Sequence, residues 1–567
     1  MLPQARFRAY AASVALLALA VIAGPTAGGA EAAVPPSNYL VVSALGVSSD
    51  EIQAVIAAKG GTILRHNEAT GILTVRSSTA GFDGQLRRNP AVAAAGLSRS
   101  IGRAGRPARD IREAQPVPGY RGSTVYSPAA PLDIDPVPEP RPEPLESLQW
   151  DLDAVDGMSH ESQAIHQGSW GVIVGVMDSG VDADHPDLAS NLIPSRSRNL
   201  LLPGMAGHGA APTTDSTGHG TQVAGHIAAA VNGLGISGVA PKTRLASLRV
   251  VTDDGYIFVQ PVVDALTHAV DQGIDIVNMS FGLDPWLFAC PDNPADSPTQ
   301  QAEQRAIVVA MQRALDYAHD RGVLAVASEG NGNNITRRGI DLNNPTVDNH
   351  SPTFPSDSAH ARAIDNSCLL LPAEAGHVVT VAATGPSGRK AHYSNYGTEQ
   401  TDVAAPGGDI HDNPSNTRDD TKGSFSTASE TVLQRQGLID SNGNPSSPAV
   451  IRNCAVGGNS CAYYRYAQGT SFSSPMASGV AAILAARFGF ADPLRRGEYN
   501  IDPTTIERRL YASATPRPCP AGGSYTYTLN LPNGTTEVLT HRCEGSLTRN
   551  GFYGRGVVNA RNAATQN

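Results

Sequence analysis

The chain carries a serine-rich stretch at residues 469–477, which reads Gly469-Thr470-Ser471-Phe472-Ser473-Ser474-Pro475-Met476-Ala477. An apolar run with helical character follows and ends at Phe488. The pattern predicts a helix that begins near Ser471 and holds Pro475 in its first turn, where the missing N–H costs nothing. Unpaired backbone N–H groups and the positive end of the helix dipole would then face Ser471. This position suits the negative charge that grows when a serine attacks a carbonyl; the alternative is an ordinary N-cap serine.

A buried carboxylate and a histidine precede this serine in the chain. Residues 172–177 form an uninterrupted apolar run that leads into Asp178 and a glycine turn, which is typical of a strand buried on both faces. A charge at the end of such a strand needs a partner. His219 opens a second helix within a run of small residues. Taken singly, Asp178 is a turn residue and His219 a capping or surface residue; with Ser471 they supply an orienting carboxylate, a general base and a nucleophile.

These segments resemble the three active-site signatures of the subtilisin-like serine proteases, the subtilases. The matching residues are Asp178-Ser179-Gly180-Val181-Asp182, His219-Gly220-Thr221 and Gly469 to Pro475. The resemblance covers about residues 148–564. It implies an α/β fold of three layers with a mostly parallel central sheet, and a secreted endopeptidase that cleaves polypeptide substrates through an acyl-enzyme intermediate. Two alternatives stay open: a catalytically silent fold that serves as a binding module, and a processing protease of narrow specificity.

Composition agrees with a large exported enzyme. The chain has 567 residues, of which 41% are hydrophobic, and this is ample for a sizeable core. Its formal net charge of −10 argues against nucleic acid as the main partner. Six cysteines, an even number, fit disulfides in an exported chain. Fifteen pairings are possible, and proximity favours Cys290–Cys368, Cys454–Cys461 and Cys519–Cys543.

The N-terminus predicts export. Arg6 and Arg8 precede an apolar run at residues 11–24, and small residues follow as far as residue 33. This is the pattern of a secretory signal peptide, which we place at residues 1–32, with cleavage after Ala30 or Ala32. The run is shorter than the ~20 residues that span a membrane, and no second long apolar run follows. We therefore expect an extracellular protein without a membrane anchor, and a monomer.

Residues 34–102 predict a small α+β domain. Strands are expected at 38–44, 61–65 and 70–77, with a helix at 49–59 that a Ser48…Glu51 capping box opens. This βαβ-type layout resembles the propeptides of subtilases, which implies a chaperone and temporary inhibitor that the enzyme itself removes. An unrelated adaptor domain is the alternative. Residues 103–148 hold ten prolines and predict an extended, accessible linker, so we expect maturation cuts within residues 103–150.

Residues 149–567 alternate apolar strands with helices. Beyond the elements at Asp178, His219 and Ser471, strands are expected at 244–251, 274–279, 323–328 and 378–383, and helices at 259–271 and 300–319. This alternation predicts a parallel sheet covered on both faces. Sites in such sheets gather at the carboxyl ends of the strands, where Asp178, Ser280 and Asn331 all fall. Three insertions, at about 284–300, 332–375 and 409–467, are predicted to be polar loops.

The resemblance implies further residues of the site. Asn331, in Ser328-Glu329-Gly330-Asn331, would donate to the oxyanion; an ordinary Gly-Asn turn is the alternative. Glu329 replaces a small residue usual in the family, which raises the hypothesis that it approaches the pocket for the residue before the scissile bond. Ser280-Phe281-Gly282 and Gly330 would border the substrate, whose extended backbone pairs with residues 280–282 as an added strand, and residues 253–256 resemble the opposite edge. Core packing is the alternative for Phe281.

The resemblance also implies a structural calcium ion. Asp187 and Asn232 match side-chain ligands of the family's tight site, and backbone carbonyls of Ala230, Leu234 and Ile236 would complete it. Asp151 is a further candidate ligand. Hard oxygen ligands of this mix suit calcium rather than zinc, and no catalytic cofactor is expected. The alternative is that Asp187 and Asn232 are plain turn residues.

Overall fold

The computed structural model of the chain describes residues 35–99, 141–332, 338–344, 346–455 and 460–566. The predicted signal peptide and most of the predicted linker lie outside these ranges, so both stay predictions. Among the described residues, no helix has the length and apolar character that crossing a membrane requires.

Residues 36–99 form an antiparallel sheet of four strands with two helices. In chain order these are β1 (Ser37–Ser43), α1 (Ser49–Ala58), β2 (Gly61–Asn67), β3 (Ile72–Ser77), α2 (Phe82–Leu86) and β4 (Val92–Ser98). The strand order is β2-β3-β1-β4, so the predicted βαβ unit is split by β3. The Ser48 side chain accepts a hydrogen bond from the Glu51 N–H at 3.2 Å, which is half of the predicted capping box. The sequence analysis did not predict β4, because its alanines carry little strand signal.

The remaining elements follow in chain order. The helices are α3 (Trp150–Asp153), α4 (Pro186–Ala189), α5 (His219–Ala228), α6 (Val259–Gln272), α7 (Pro298–His319), α8 (Glu430–Arg435), α9 (Thr470–Phe488), α10 (Pro503–Ser513) and α11 (Ala560–Thr565). The strands are β5 (Ile173–Asp178), β6 (Arg198–Asn199), β7 (Arg244–Arg249), β8 (Ile276–Met279), β9 (Leu324–Ser328), β10 (Thr346–Asp348), β11 (Arg362–Ile364), β12 (Val378–Thr384), β13 (Val403–Pro406), β14 (Ser424–Ala428), β15 (Val450–Cys454), β16 (Cys461–Ala467), β17 (Phe490–Ala491), β18 (Tyr499–Asn500), β19 (Ser524–Asn530) and β20 (Thr536–Arg542).

The central sheet has seven strands in the order β13-β12-β9-β8-β5-β7-β6. Every adjacent pair is parallel. Successive residues of β5 point to opposite faces: Ile173 and Met177 pack in the core beneath α6 and α7, whereas Val174 and Val176 pack in the core beneath α5 and α9. These two cores confirm the predicted three-layer α/β fold with a parallel sheet.

The domain of residues 36–99 packs on α6 and α7. Arg65 and Asn67 both contact the buried carboxylate of Asp264, at 2.7 and 2.9 Å. Arg99 lies 3.0 Å from the fully buried carboxylate of Glu303. A Cβ added to Gly96 would lie 2.6 Å from the Ala302 carbonyl oxygen, so only glycine permits this approach of β4 to α7. The contact is therefore built from close backbone packing and paired charges.

The prediction that residues 409–467 are loops is wrong. They contain α8 and an antiparallel sheet in the order β14-β16-β15. Polar residues of β14 bond to the backbone of α5: Thr427 Oγ1 donates to the Thr221 carbonyl at 2.7 Å, and Ser426 Oγ to the Gln222 carbonyl at 2.8 Å. Because these hydroxyl residues are polar, the sequence pattern of this buried strand resembles that of a loop. Residues 332–375 likewise contain the short pair β10 and β11.

All three expected disulfides are present. Cys290 pairs with Cys368, Cys454 with Cys461, and Cys519 with Cys543. The first joins the insertions that follow β8 and β9, and the last closes the segment that contains the β19–β20 hairpin. Local pairing was therefore the correct choice among the fifteen.

Candidate active site

Asp178 is the last residue of β5 and is almost fully buried, with 2% of its surface exposed. Both of its carboxylate oxygens lie 2.9 Å from Nδ1 of His219. The backbone N–H of Ser179 also donates to Oδ1 at 2.7 Å, and the Ser179 hydroxyl oxygen lies 3.1 Å from it. The partner that a buried charge requires is therefore the imidazole that the sequence predicts.

His219 is the first residue of α5. A Cβ added to Gly220 would lie 2.1 Å from the Gly180 carbonyl oxygen and 3.1 Å from the Asp178 Cβ, so glycine allows the helix to approach the end of β5. The imidazole ring lies 5.6 Å from the ring of Phe472, the residue after Ser471. The fold thus brings the carboxylate, the imidazole and the start of α9 to one place.

Asp215 positions His219, and the sequence analysis did not identify it. Its Oδ1 accepts the backbone N–H groups of Thr217 and Gly218, at 3.0 and 2.8 Å, and its Oδ2 accepts the Thr221 N–H at 2.8 Å. It also accepts the hydroxyl of Ser179 at 2.7 Å. This one carboxylate satisfies N–H groups at the start of α5 and joins it to the turn after Asp178. An aspartate four residues before the histidine was the available signal.

Ser471 is the second residue of α9, and Pro475 lies inside the helix rather than in its first turn as predicted. Proline has no N–H to donate to the carbonyl four residues earlier, which is that of Ser471. The Ser280 hydroxyl donates to this carbonyl instead, at 2.9 Å. The Ser471 hydroxyl in turn donates to the Ser280 carbonyl at 3.2 Å. Ser280 therefore braces the helix start that carries the candidate nucleophile.

Ser280 has further contacts along α9. Its hydroxyl lies 2.9 Å from that of Ser474, and Asn278 Nδ2 donates to it at 2.8 Å. Asn278 Oδ1 accepts the Ser478 hydroxyl at 3.0 Å. The end of β8 is thus fastened to successive turns of α9 by polar side chains, which the apolar pattern alone could not reveal.

Asn331 lies beside the start of α9. Its Oδ1 accepts the backbone N–H of Thr470 at 2.9 Å and the Thr470 hydroxyl at 2.8 Å. The Thr470 hydroxyl also accepts the Gly330 N–H at 3.1 Å, and Gly330 has a φ of +95°. The amide of Asn331 is thereby oriented, with Oδ1 turned to Thr470 and Nδ2 the end that can donate.

The segments expected to border a substrate lie close together. Leu370 lies between them, since a Cβ added to Gly330 would be 3.0 Å from one Leu370 methyl group and a Cβ added to Gly282 would be 3.7 Å from the other. The Leu283 N–H donates to the Leu371 carbonyl at 2.9 Å, which aligns the segment of Leu370 with that of Gly282. Leu370 was missed because it lies in an insertion interpreted as a polar loop. Phe281 is buried in the core beneath α6 and α7.

Glu329 does not fit the hypothesis that it approaches a substrate pocket. The residue is fully buried, and its Oε1 accepts the Thr401 hydroxyl at 2.6 Å. Burial raises the pKa of its carboxyl well above the ordinary value. Its side chain is therefore part of the core and lines no open surface.

The residues expected to bind calcium also meet, with one exception. Asp187, in the first turn of α4, is fully buried and lies 3.2 Å from Nδ2 of Asn232, and its Oδ2 accepts the Ile236 N–H at 3.3 Å. The Asp187 carbonyl accepts the Ala230 N–H at 2.7 Å. Asp151 instead accepts the backbone N–H of Phe425 at 2.9 Å and lies 3.7 Å from His226 Nδ1. It is therefore engaged at the start of β14.

Known proteins resemble this chain in sequence. The family model described as Subtilase family matches residues 169–520. The chain is 26% identical, over 61% of its length, to the nisin leader peptide-processing serine protease NisP of Lactococcus lactis subsp. lactis, and 27% identical, over 57% of its length, to the thermophilic serine proteinase of Bacillus sp. strain AK1. These alignments cover 45% and 54% of the relatives, so the chain spans about half the length of each.

A solved structure shows the same fold. The epidermin leader peptide processing serine protease EpiP of Staphylococcus aureus matches 94% of this chain and 98% of its own, with a TM-score of 0.57 at 19% identity. At this identity the likeness concerns the fold alone.

Proposed function

The chain belongs to the subtilase family, and from this premise we propose that it is a serine endopeptidase, made as an exported precursor, that hydrolyses peptide bonds. The observation that carries the proposal is the contact of both Asp178 oxygens with His219 Nδ1, at 2.9 Å, beside the helix start that bears Ser471. An imidazole that a carboxylate orients can take the proton of a neighbouring serine hydroxyl, which makes this weakly acidic alcohol a nucleophile.

The chemistry follows from these positions. Asp178 holds the Nδ1–H of His219, so that Nε2 is the basic nitrogen. The Ser471 hydroxyl turns from the Ser280 carbonyl toward Nε2, gives up its proton and attacks the scissile carbonyl. The imidazolium then protonates the leaving amine, which leaves an ester on Ser471. A water molecule repeats the sequence on this ester, releasing the acid and restoring the hydroxyl.

The tetrahedral oxyanion needs preorganised donors. In the proposal, Asn331 Nδ2 and the Ser471 backbone N–H supply them. The support is that the Thr470 N–H and hydroxyl both donate to Asn331 Oδ1. These hydrogen bonds keep the amide beside the start of α9 and direct its nitrogen away from Thr470.

The domain of residues 36–99 is proposed to be an inhibitory propeptide that self-cleavage removes. Its support is the contact with α6 and α7 through Asp264 and Glu303, which a transient inhibitor can form and release. We expect N-terminal sequencing of the secreted protein to find a start within residues 103–150. A mature protein that begins at residue 34 would contradict this.

The alternative of narrow specificity has some support in the structure. Leu370, with 6% of its surface exposed, fills space between Gly282 and Gly330, which favours a small side chain before the scissile bond. NisP and EpiP are described as leader-peptide processing proteases. A protease of this chain's kind could therefore act on one exported precursor rather than on unfolded protein at large.

Hydrolysis assays test the proposal. The secreted protein is assayed on casein and on a panel of defined peptides, with Ser471→Ala as the control that keeps the fold. We expect hydrolysis that the control lacks; broad action appears as casein digestion, and narrow action as cleavage of a few peptides only. A well-folded protein that cleaves neither substrate set would support the silent binding module.

A further inference from the structure

The loop of residues 230–236 and Asp187 stand where the resemblance implies a calcium ion. A calcium ion there needs convergent oxygen acceptors with their lone pairs directed at one point. Asp187 would contribute its carboxylate and Asn232 its Oδ1, with backbone carbonyls at the remaining positions. The hydrogen bonds that these side chains make determine whether they fit a calcium ion.

Hydrogen-bond donors surround the Asp187 carboxylate. The Tyr464 hydroxyl donates to Oδ2 at 2.8 Å, and the Ile236 N–H donates to the same oxygen at 3.3 Å. Asn232 Nδ2 donates to Oδ1 at 3.2 Å. Each carboxylate oxygen is thus satisfied by an N–H or O–H group, which would have to turn away before a cation could bind.

Asn232 is oriented against cation binding. Its Oδ1 accepts the Leu234 N–H at 2.9 Å, while its Nδ2 also lies 3.3 Å from the Pro186 carbonyl oxygen. An acceptor and a donor on opposite ends of the amide define which end is nitrogen. The end that faces Asp187 is therefore the one that cannot coordinate a metal.

Tyr464 also fills the space within the loop. It is fully buried in β16, and a Cβ added to Gly235 would lie 1.7 Å from its hydroxyl oxygen. Gly235 has a φ of +61°, so both its conformation and the lack of a side chain serve this contact. The phenol therefore reaches into the loop as far as the backbone permits.

A second carboxylate holds the outer side of the same loop. Glu143 Oε1 accepts the backbone N–H groups of Asn232 and Gly233, at 2.9 and 3.1 Å. The Gly235 N–H donates to Asn453 Oδ1 at 3.1 Å. Protein groups on both sides thus satisfy the loop's N–H groups and hold its shape.

We propose that Tyr464 replaces the calcium ion of the family's tight site, so that Asp187 and residues 230–236 are held together by hydrogen bonds and fold without a cation. The predicted ligand residues are present, but the hydrogen-bond donors that surround the Asp187 carboxylate do not fit a calcium site. The inserted sheet β14-β16-β15, which carries Tyr464, would then take over a stabilising role that a metal has in relatives of the fold.

Thermal unfolding of the full chain tests this proposal. The Ser471→Ala background prevents self-cleavage, so the result does not depend on whether the protein is a protease. We expect the same melting temperature in excess calcium chloride and in EDTA. A rise of several degrees with calcium that the added Asp187→Asn substitution abolishes would overturn the proposal. A rise that survives Asp187→Asn comes from a cation bound elsewhere and leaves the loop cation-free, as proposed.

A pair of tyrosine variants isolates the hydroxyl. Tyr464→Phe removes only the donor to Asp187, and we expect its melting temperature to fall by about 2 °C, the effect of one buried hydrogen bond. Tyr466→Phe is the matched control, since Tyr466 is buried in the same strand and packs its ring 4.4 Å from that of Phe425. Equal shifts in the two variants would contradict a role for the Tyr464 hydroxyl.

Discussion

Asp178 and Asp187 are buried aspartates nine residues apart, and the sequence predicts a partner for each: an imidazole for Asp178 and a calcium ion for Asp187. Asp178 has the predicted one, the imidazole of His219, whose two ring nitrogens can donate and accept a proton. In the part of the chain that the structure describes, the Asp187 carboxylate contacts Tyr464, Asn232 and Ile236, whose hydroxyl, amide and backbone N–H keep their protons. We propose that the first environment carries out proton transfer and that the second holds a loop in shape.

The difference shows what a motif alone leaves open. A buried carboxylate must be satisfied, but burial does not say whether a base, a metal or a set of neutral donors satisfies it. For Asp178, the glycines at 180 and 220 allow the close approach of His219. For Asp187, the partner comes from an inserted strand more than 270 residues later, in a region without a recognisable motif.

Matched substitutions give the largest expected contrast. Asp178→Asn should lower kcat by about 10⁴-fold, as in other Ser-His-Asp enzymes, because the imidazole loses its tautomer and orientation. Asp187→Asn should change kcat less than tenfold and reduce the free energy of unfolding by about 1–3 kcal/mol, since one buried donor loses its acceptor. Steady-state kinetics and chemical denaturation on both variants check this. Similar losses of kcat in the two would remove the distinction between the sites.

Asn331 sharpens the comparison on the side of Asp178. Asn331→Ala should lower kcat by about 10²–10³-fold, the magnitude known for the oxyanion asparagine of subtilisin, and change KM little. Asn344→Ala is a control in the insertion that follows Asn331, since the exposed Asn344 contacts Asp341 at 2.8 Å. A rise in KM at constant kcat would mean that Asn331 serves substrate binding instead.

Leu370 should control which residue precedes the scissile bond. Leu370→Gly opens the space between Gly282 and Gly330, and we expect kcat/KM for a leucine or phenylalanine in that position to rise about 10- to 100-fold relative to alanine. Leu369→Gly, one residue earlier, is the control. Unchanged relative rates in a folded Leu370→Gly enzyme would show that the pocket lies elsewhere.

The smallest expected effect concerns pH and the contact with residues 36–99. Burial raises the pKa of the Glu303 carboxyl to about 7, from an ordinary value of 4.5, against the opposing pull of Arg99. We expect undocking of the domain to expose Glu303 to water and to return its pKa toward 4.5. Docking then has its full stabilisation from this group below about pH 4.5, and loses it as the pH rises through 7. In Ser471→Ala precursor, hydrogen-exchange protection of β4 should fall about tenfold from pH 5 to 8.

Two variants check the origin of this pH dependence. Glu303→Gln should flatten it, because the glutamine does not titrate. Glu374→Gln is a matched control, since burial also raises the pKa of Glu374 to about 7, but its carboxylate accepts the Leu370 N–H rather than a group of the N-terminal domain. A pH dependence that Glu303→Gln leaves intact would assign it to other groups.

Much of the fold could be predicted because apolar periodicity and chemistry agree. The strand that ends at Asp178, the helix at His219 and the helix at Ser471 all lie where the pattern places them. The sheet β14-β16-β15 could not be predicted, since its buried Ser426 and Thr427 bond to backbone carbonyls of α5 and resemble loop residues in sequence. The place of Pro475 in the helix was predicted wrongly for a related reason. The Ser280 hydroxyl, which donates to the Ser471 carbonyl in place of the N–H that proline lacks, is distant in sequence.

The candidate site divides along the same line. The groups proposed to act on substrate, Asp178, His219, Ser471 and Asn331, lie in sequence motifs and were predicted from them. The groups that position these residues are distant from them in sequence. Thr470 contacts Asn331, and Leu370 lies beside Gly282. The spacing of residues within a local stretch of sequence predicts neither contact.

The most direct measurement is the site at which a fluorophosphonate reacts with the secreted protein, mapped by peptide mass spectrometry. We expect one adduct, on Ser471, that forms at a rate which His219→Ala lowers by several orders of magnitude. A folded protein that acquires no adduct, or one modified equally fast without His219, would contradict the proposal that Asp178, His219 and Ser471 act as one catalytic unit.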